Sequence, residues 1–294
     1  MIYDISKNIL DLAYDVNGDS LTKAYDIDGV EIFPIDSLIV KTMEYNVGGW
    51  YTGNGGNVPA ASKNSYEMLL RNTLSDDEAE IVGFQEYWNN FCADGTTAVS
   101  ILDDYYTSNN AINGDTTYGG RGISANYPLM SSTTFEFSTH TSYQHPNLVD
   151  VFQINGHNVY VLSCHLDWDS QEMQETQVQE LIEYLSDKEY FIVFGDFNAS
   201  ITTSENRTSA EYIGVCKPFI DAGYNMANWK SSFLATYYNG SSASASSSIL
   251  CTDNIITSAN IGVYNPHVDT RKLTDGLGDV IDHIPLIATL TIPT

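Results

Sequence analysis

The chain has 294 residues, of which 12 are Lys or Arg and 38 are Asp or Glu, giving a formal charge of −26. Only 17% of the residues are charged while 43% are hydrophobic, so cations are scarce rather than acids crowded, and a highly charged disordered chain is excluded. The same scarcity argues against a broad basic nucleic-acid surface, but not against a phosphate-processing enzyme that carries its own cation.

Residues 1–36 read differently from the rest. Ala13-Tyr-Asp-Val-Asn-Gly18 recurs as Ala24-Tyr-Asp-Ile-Asp-Gly29. Asn17-Gly18 and Asp28-Gly29 are tight-turn signals, so two short β-hairpin units are expected. A calcium loop is the sharper alternative, with Asp15, Asn17, Asp19 and Asp26 at positions 1, 3, 5 and 12. Ser20 stands where such a loop needs Gly, and no helix follows. The segment reads better as an attachment module of a larger phage or cell-surface assembly. The opening stretch has neither the basic n-region nor the apolar run of a signal peptide. No run approaches the roughly 18–20 apolar residues of a membrane span. A soluble chain is expected, its compartment open: kept where it is made, virion-associated, or exported by another route.

From residue 37 onward strands and helices alternate. Leu38 to Met43 reads as a strand. Tyr66, Leu69, Leu70 and Leu74 mark a helix face, with Asn64 and Glu67 in capping-box positions. Ile81 to Phe84 is a buried strand. Leu148 to Ile154 and Val159 to Cys164 are strands joined by an Asn155-Gly156 turn. Met173, Val178, Leu181, Ile182 and Leu185 mark a second amphipathic helix. Phe191 to Phe194 is apolar on both faces and belongs in the middle of a covered sheet. Residues 239–248 have the composition of a flexible loop. Ile249 to Thr257 and Ile284 to Ile292 close the chain as strands. The pattern predicts an α/β sandwich with sheets inside and helices outside. Of the four cysteines, Cys92, Cys164, Cys216 and Cys251, none shows metal-type CxxC spacing. Cys164 and Cys251 read as buried free thiols.

Polar residues recur where these strands end: Asn46, Glu86, His165, Asp196 with Asn198, Asp253, and Asp282-His283. One Asp after a strand is ordinary turn chemistry. A whole set on strand ends that converge at one sheet edge can share a site. Glu86, Asp282 and Asn46 offer hard oxygen ligands suited to Mg²⁺ or Mn²⁺ rather than zinc. His165, Asn198 and His283 can donate to a phosphoryl oxygen. Asp196, or a His supported by an Asp, can activate water. Together these describe metal-assisted phosphoester hydrolysis.

Seven stretches, in order, resemble the endonuclease/exonuclease/phosphatase superfamily, the group of deoxyribonuclease I, abasic-site endonucleases and neutral sphingomyelinases. They are Thr42-Met-Glu-Tyr-Asn-Val-Gly-Gly49, Ile81-Val-Gly-Phe-Gln-Glu86, Arg121-Gly-Ile-Ser-Ala-Asn-Tyr-Pro-Leu129, Ser163-Cys-His-Leu-Asp167, Gly195-Asp-Phe-Asn198, Cys251-Thr-Asp-Asn-Ile-Ile-Thr257 and Ile281-Asp-His-Ile-Pro-Leu286. The resemblance covers residues 38–292 and implies a four-layer αββα sandwich, preceded here by the short β-hairpin-like segment 1–36. It also implies a divalent-metal phosphodiesterase site. Carried over by motif, Asn46, Glu86 and Asp282 would hold the metal, with Glu86 the main ligand. His165 and Asn198 would bind the scissile phosphate, and Asp196 would orient or deprotonate the attacking water. His283, held by Asp253, would contact the phosphate or act as acid and base. Two departures stand out: Ile281 replaces the usual Ser before Asp282-His283, and Asn254 replaces the usual Tyr after Asp253. Both motifs keep their functional Asp and His, so an intact site is expected.

The substrate is a narrower question. Trp50, Trp88 and Trp168 each follow a site segment, with Tyr51, Tyr87 and Tyr118 nearby. As a rim they would form a stacking platform, worth roughly 1–3 kcal/mol per base; as packing they would merely cap the sheet ends. Arg121 is the best-placed cation for a substrate contact. With few cations, DNA binding would be weak and low in specificity. The reading is therefore a Mg²⁺-dependent, DNase-like endonuclease acting on DNA rather than RNA. The alternatives are a sphingomyelinase-type lipid phosphodiesterase and a non-catalytic adhesion or structural module.

Overall fold

A computed structural model describes residues 23–25, 31–34, 37–47, 60–87, 97–112, 119–141, 146–168, 170–199, 214–229, 234–238, 249–269 and 283–294. The Asn17-Gly18 and Asp28-Gly29 turns, the calcium-type spacing, Trp50, Trp88, Tyr51, Tyr118, Cys92, the 239–248 loop and Asp282 lie outside the described residues. Two short strands, β1 (Lys23–Tyr25) and β2 (Glu31–Pro34), pair antiparallel ahead of the main fold.

The main fold runs β3 (Ser37–Asn46), α1 (Ala60–Asp77), β4 (Ile81–Tyr87), α2 (Ala98–Leu102), β5 (Ser108–Ile112), β6 (Gly120–Ala125), β7 (Leu129–Phe135) and β8 (Asn147–Ile154). It continues with β9 (His157–His165), α3 (Gln171–Leu185), β10 (Phe191–Asp196), α4 (Lys217–Asp221), β11 (Asn225–Met226), β12 (Tyr237–Tyr238), β13 (Ile249–Leu250), β14 (Asp253–Thr257), β15 (Gly262–Val268) and β16 (Leu286–Pro293). One sheet has the order β15-β16-β3-β4-β6-β5, the other β11-β14-β10-β9-β8-β7. Each contains one parallel pair at its centre, β3 with β4 and β9 with β10. A parallel pair needs a crossover, and α1 and α3 supply it. The two crossover units face each other across the sandwich.

Strand alternation sorts the side chains into three cores. Met43, Tyr45, Val82 and Phe84 face outward onto Leu69, Leu70 and Leu74 of α1 and onto α2. Leu162, Phe191 and Val193 face outward onto Val178, Leu181 and Leu185 of α3 and onto Phe219 of α4. Val40, Ile81, Ile123, Phe152, Val161, Ile192 and Phe194 fill the space between the sheets. The result is the four-layer αββα sandwich. Close approach of the sheets depends on Gly83, where a Cβ would come 2.3 Å from Cβ of Phe194.

The inner layer is graded along its length. Reading β3 inward-facing positions in order gives Val40, Thr42, Glu44 and Asn46; β9 gives Val159, Val161, Ser163 and His165; β10 gives Ile192, Phe194 and Asp196. One end is hydrocarbon and the other is polar. Near the polar end Ser163 Oγ donates to Phe84 O at 2.6 Å, and Gln85 Nε2 reaches Phe194 O at 3.3 Å, so hydrogen bonds cross between the sheets.

Several expectations are corrected. Helix α1 begins at Ala60, four residues ahead of Asn64, so the helix N-terminus is not where the capping-box spacing puts it; Ala60-Ala61 extend the helix because alanine has the highest helix propensity. Glu67 instead pairs with Arg71 at 2.9 Å, one turn on. The strand expected over Ile249 to Thr257 is two strands. At the break, Thr252 O accepts from Phe197 N at 2.8 Å, and Thr236 Oγ1 accepts from the backbone N–H of Thr252 and Asp253. The Asn155-Gly156 turn is present, with φ of 49° and 87° as a primed hairpin turn requires. Cys164 and Cys251 are buried, and Cys251 Sγ accepts from Asn228 Nδ2 at 2.6 Å.

Candidate active site

The carboxyl ends of β3, β4, β9 and β10 meet at the polar end of the sandwich, the place where open α/β sheets bind ligands. Antiparallel neighbours add Asp253 at the start of β14 and His283, three residues before β16. Asp196 is the hub. Pairing sets it beside His165 on one side and Asp253 on the other. Its Oδ1 accepts from the Asn198 backbone N–H at 2.8 Å, and its Oδ2 from Asn46 Nδ2 at 2.9 Å. The same Oδ2 lies 3.5 Å from His165 Nε2 and 3.6 Å from His283 Nε2. These last two are close approaches rather than full hydrogen bonds.

His283 is fixed from behind. Its Nδ1 faces both Asp253 oxygens, at 3.1 and 2.9 Å. A carboxylate can only accept here, so Nδ1 carries hydrogen and Nε2 is turned to Asp196. Thr252 Oγ1 donates to Asp253 Oδ2 at 2.9 Å. Thr236 Oγ1 accepts from Asp253 N at 3.1 Å, and Thr236 O accepts from Ile284 N at 2.8 Å. The Tyr237 ring packs at 4.9 Å from the imidazole.

Glu86 sits at a β-bulge where the β4–β6 register slips between Gln85 and Tyr87. Its φ is 54°, the left-handed region. Asn198, at φ 50°, shares this conformation. A non-glycine residue there costs of the order of 1–2 kcal/mol, and such strain gathers at functional positions. Asn46 Nδ2 donates to Glu86 Oε1 at 3.2 Å, so one amide links Glu86 to Asp196. Asn198 Nδ2 donates to Leu166 O at 2.8 Å and pins the loop after β9. Burial lowers the His165 pKa to about 4, with Arg121 and His283 pushing the same way and Asp196 opposing. The ring is therefore neutral at physiological pH.

The structure thus brings together Asn46, Glu86, His165, Asp196, Asn198, Asp253 and His283 as the sequence predicts. It places two others differently. Arg121 is only 2% exposed and lies in the inner layer, not on the rim. Tyr87 is 1% exposed in the core under α1. Tyr87 turns outward because the bulge reverses the facing of β4 beyond Gln85, whereas Arg121 on β6 faces inward by plain alternation with Ile123 and Ala125. Trp168 is on the surface, 69% exposed.

Glu44 went unread in the sequence. It is fully buried on β3, two residues before Asn46, and neither carboxyl oxygen has a hydrogen-bond partner among the described residues. Burial first, then Asp253 and Asp196, push its pKa well upward. The signal was the strand period, which puts residues 44 and 46 on one face.

This donor set fits a divalent cation. Glu86 brings a hard carboxylate beside the Asn46 amide, and Glu44, two residues before Asn46 on β3, leaves an orphaned buried carboxyl. Asp196, Asp253 and His283 also bring ligand-type atoms within 4.8 Å of one another. The His283–Asp253 hydrogen bond, with Nε2 of the same ring 3.6 Å from Asp196, suits that trio better to proton handling than to an ion. Of the sequence-predicted metal ligands, Asp282 lies outside the described residues.

No curated protein matches the chain. Solved structures do. A functionally unknown conserved protein from Enterococcus faecalis is 18% identical, with a TM-score of 0.62 over 85% of this chain and 98% of that one. TDP2 of D. rerio complexed with single strand DNA product is 16% identical, with a TM-score of 0.62 over 86% and 98%. An endonuclease/exonuclease/phosphatase family protein from Bacteroides thetaiotaomicron is 15% identical, with a TM-score of 0.58 over 88% and 99%. At these identities the likeness speaks to the fold. The sequence profile of the Endonuclease/Exonuclease/phosphatase family, however, matches residues 45–284, from β3 to the residue after His283. Sequence profile and site geometry agree: the chain belongs to the endonuclease/exonuclease/phosphatase family, whose members are metal-dependent hydrolases of phosphoester bonds.

Proposed function

We propose that the chain is a Mg²⁺- or Mn²⁺-dependent phosphodiesterase that nicks DNA with low specificity. The observation that carries this reading is the convergence of His165, His283 and Asn46 on the single carboxylate of Asp196, within 2.9–3.6 Å. Glu86 and Asn46, completed by Asp282, would hold the ion. When bound, it would supply positive charge to the phosphoryl oxygens and leaving group.

The chain's own residues divide the remaining work. Asp196 orients the attacking water and takes its proton. His165, neutral and with Nε2 turned toward Asp196, donates a hydrogen bond to a phosphoryl oxygen. His283, with Nδ1–H held by Asp253, would donate to the phosphate through Nε2 as the imidazolium, whose charge Asp253 stabilises, as an Asp does behind a catalytic His. Asn198 fixes the loop that carries Leu166 and offers its remaining amide hydrogen to the substrate. Trp168 presents an aromatic face three residues beyond His165, where an adjacent base can stack. Support for nucleic acid comes from the TDP2 neighbour, which was solved with single strand DNA product.

Plasmid nicking with Mg²⁺ or Mn²⁺, with and without EDTA, beside a sphingomyelin assay, tests the reading. Metal-dependent loss of supercoiled DNA that vanishes in Glu86→Gln and His283→Ala is expected. No cleavage of DNA at any salt concentration overturns the nuclease reading, and sphingomyelin turnover in its place identifies the lipid alternative.

A further inference from the structure

Arg121 takes no part in the chemistry above, yet it lies at the edge of the site with its side chain folded back on its own strand. Its Nη1 donates to Gly119 O at 3.2 Å and Gly120 O at 3.0 Å. These carbonyls flank the point where β6 meets the β4 bulge, since Gly120 pairs with Tyr87 and Arg121 with Gln85. Gly119 rests directly on the bulged residue. A Cβ at position 119 would sit 2.1 Å from Glu86 Cα and 2.4 Å from its carbonyl carbon. Guanidinium, glycine and bulge therefore stack in sequence, and Glu86 is the last member. Its left-handed φ of 54° needs such surroundings, because a strained residue keeps its conformation only when its neighbours over-determine it.

We infer that Arg121 and Gly119 form a buttress that fixes the Glu86 bulge and thereby sets the site's affinity for its divalent ion. This makes Arg121 a positioning residue rather than a substrate contact. The inference rests on the proposed role of Glu86 as metal ligand. Groups behind a ligand typically govern metal affinity by 10–100-fold, through ligand orientation.

Two effects of Arg121 on a bound ion oppose each other. Its hydrogen bonds orient Glu86 and favour the ion. Its charge repels the ion, for although burial lowers the guanidinium pKa to about 10, the group stays charged at neutral pH. Variants separate the two. Arg121→Lys keeps the charge but loses the planar fork. Gly119→Ala disturbs the bulge without touching any charge. Arg121→Met removes fork and charge together.

The experiment is calorimetric titration of the metal-free full chain with Mn²⁺, with near-UV circular dichroism as the check on folding. Glu86→Gln should abolish the high-affinity site. Gly119→Ala and Arg121→Lys should each weaken Mn²⁺ about tenfold or more. Their double variant should be no weaker than the worse single one, because both act through one bulge. At saturating Mn²⁺ either single variant should recover kcat. Wild-type Mn²⁺ affinity in both single variants, with Glu86→Gln defective, overturns the buttress alone. Tighter binding in Arg121→Met beside unchanged Gly119→Ala overturns it too, by assigning Arg121 a purely electrostatic effect. Loss of folding in Gly119→Ala would put that residue in general packing and likewise count against a local role. Unchanged binding in Glu86→Gln overturns the ligand assignment and the buttress with it.

Discussion

His165 combines an ordinary side chain with an unusual setting. Its folded pKa of about 4 lies below the ordinary 6.5 because the ring is enclosed. A group depressed in this way contributes stability that is present above pH 6.5 and is lost as the pH falls toward 4. Urea midpoints of the metal-free protein should therefore drop across that window, by at most about 3 kcal/mol from this residue. His165→Asn should flatten that part of the profile; an equal drop in the variant would assign it to other groups. The His283–Asp253 pair makes a second expectation at this scale. Asp253→Asn keeps the contact distance but presents an amide to Nδ1, which frees the ring to adopt the wrong tautomer. Phosphodiester turnover should fall about 10²-fold or more with the fold intact, as read by kcat at saturating metal. Glu44 shows how a residue can be invisible in sequence yet central in space. Its pattern is merely that of a polar residue in a strand, and only packing of β3 beneath β10 and β14 puts it under two other carboxylates.

At the scale of elements, the sequence was most readable where one chemical pattern had one meaning. Helix α3, the Asn155-Gly156 hairpin and the doubly apolar β10 all follow from periodicity and turn chemistry. The site strands were readable because each ends in a polar residue after an apolar run. Strands β7 and β15 escaped because they lie at sheet edges, where LMSSTTF and GVYNPHV need bury only part of their surface and can accommodate Pro266. Tyr87 departs from its expected place for a third reason: a bulge shifts the β4 period by one, and no local sequence signal marks it. Gly83 gives this scale a direct test. Gly83→Ala forces a methyl into Phe194 and should destabilise the protein by about 1–3 kcal/mol in urea unfolding. Adding Phe194→Leu should return part of that loss, whereas simple addition of the two costs would show that the sheets do not touch through this pair. The β1–β2 pair sets another. Deleting residues 1–36 should leave a folded domain with metal-dependent activity; collapse of the shortened chain would make the segment part of the core.

For the whole molecule, the charge of −26 bears on how a polyanion is met rather than on whether it is cut. Few cations mean few counterions released, so the logarithm of DNA affinity should fall with the logarithm of salt at a slope shallower than about −3. A steeper slope would reveal a basic surface that the composition does not suggest. The four acids Glu44, Glu86, Asp196 and Asp253 share one end of the sandwich, where Arg121 is the buried cation among the described residues. The sheets are thus joined unequally, by hydrocarbon around Ile81, Phe152 and Ile292 and by hydrogen bonds and mutually repelling carboxyls around Asn46. Like a book, the sandwich has a spine and a fore-edge, and it should part from the fore-edge. Amide hydrogens of Asn46, His165 and Asp196 should exchange with solvent sooner than those of Val40, Ile123 and Ile192. A divalent ion at the fore-edge would then act as a clasp, slowing exchange in the first group while leaving the spine unchanged.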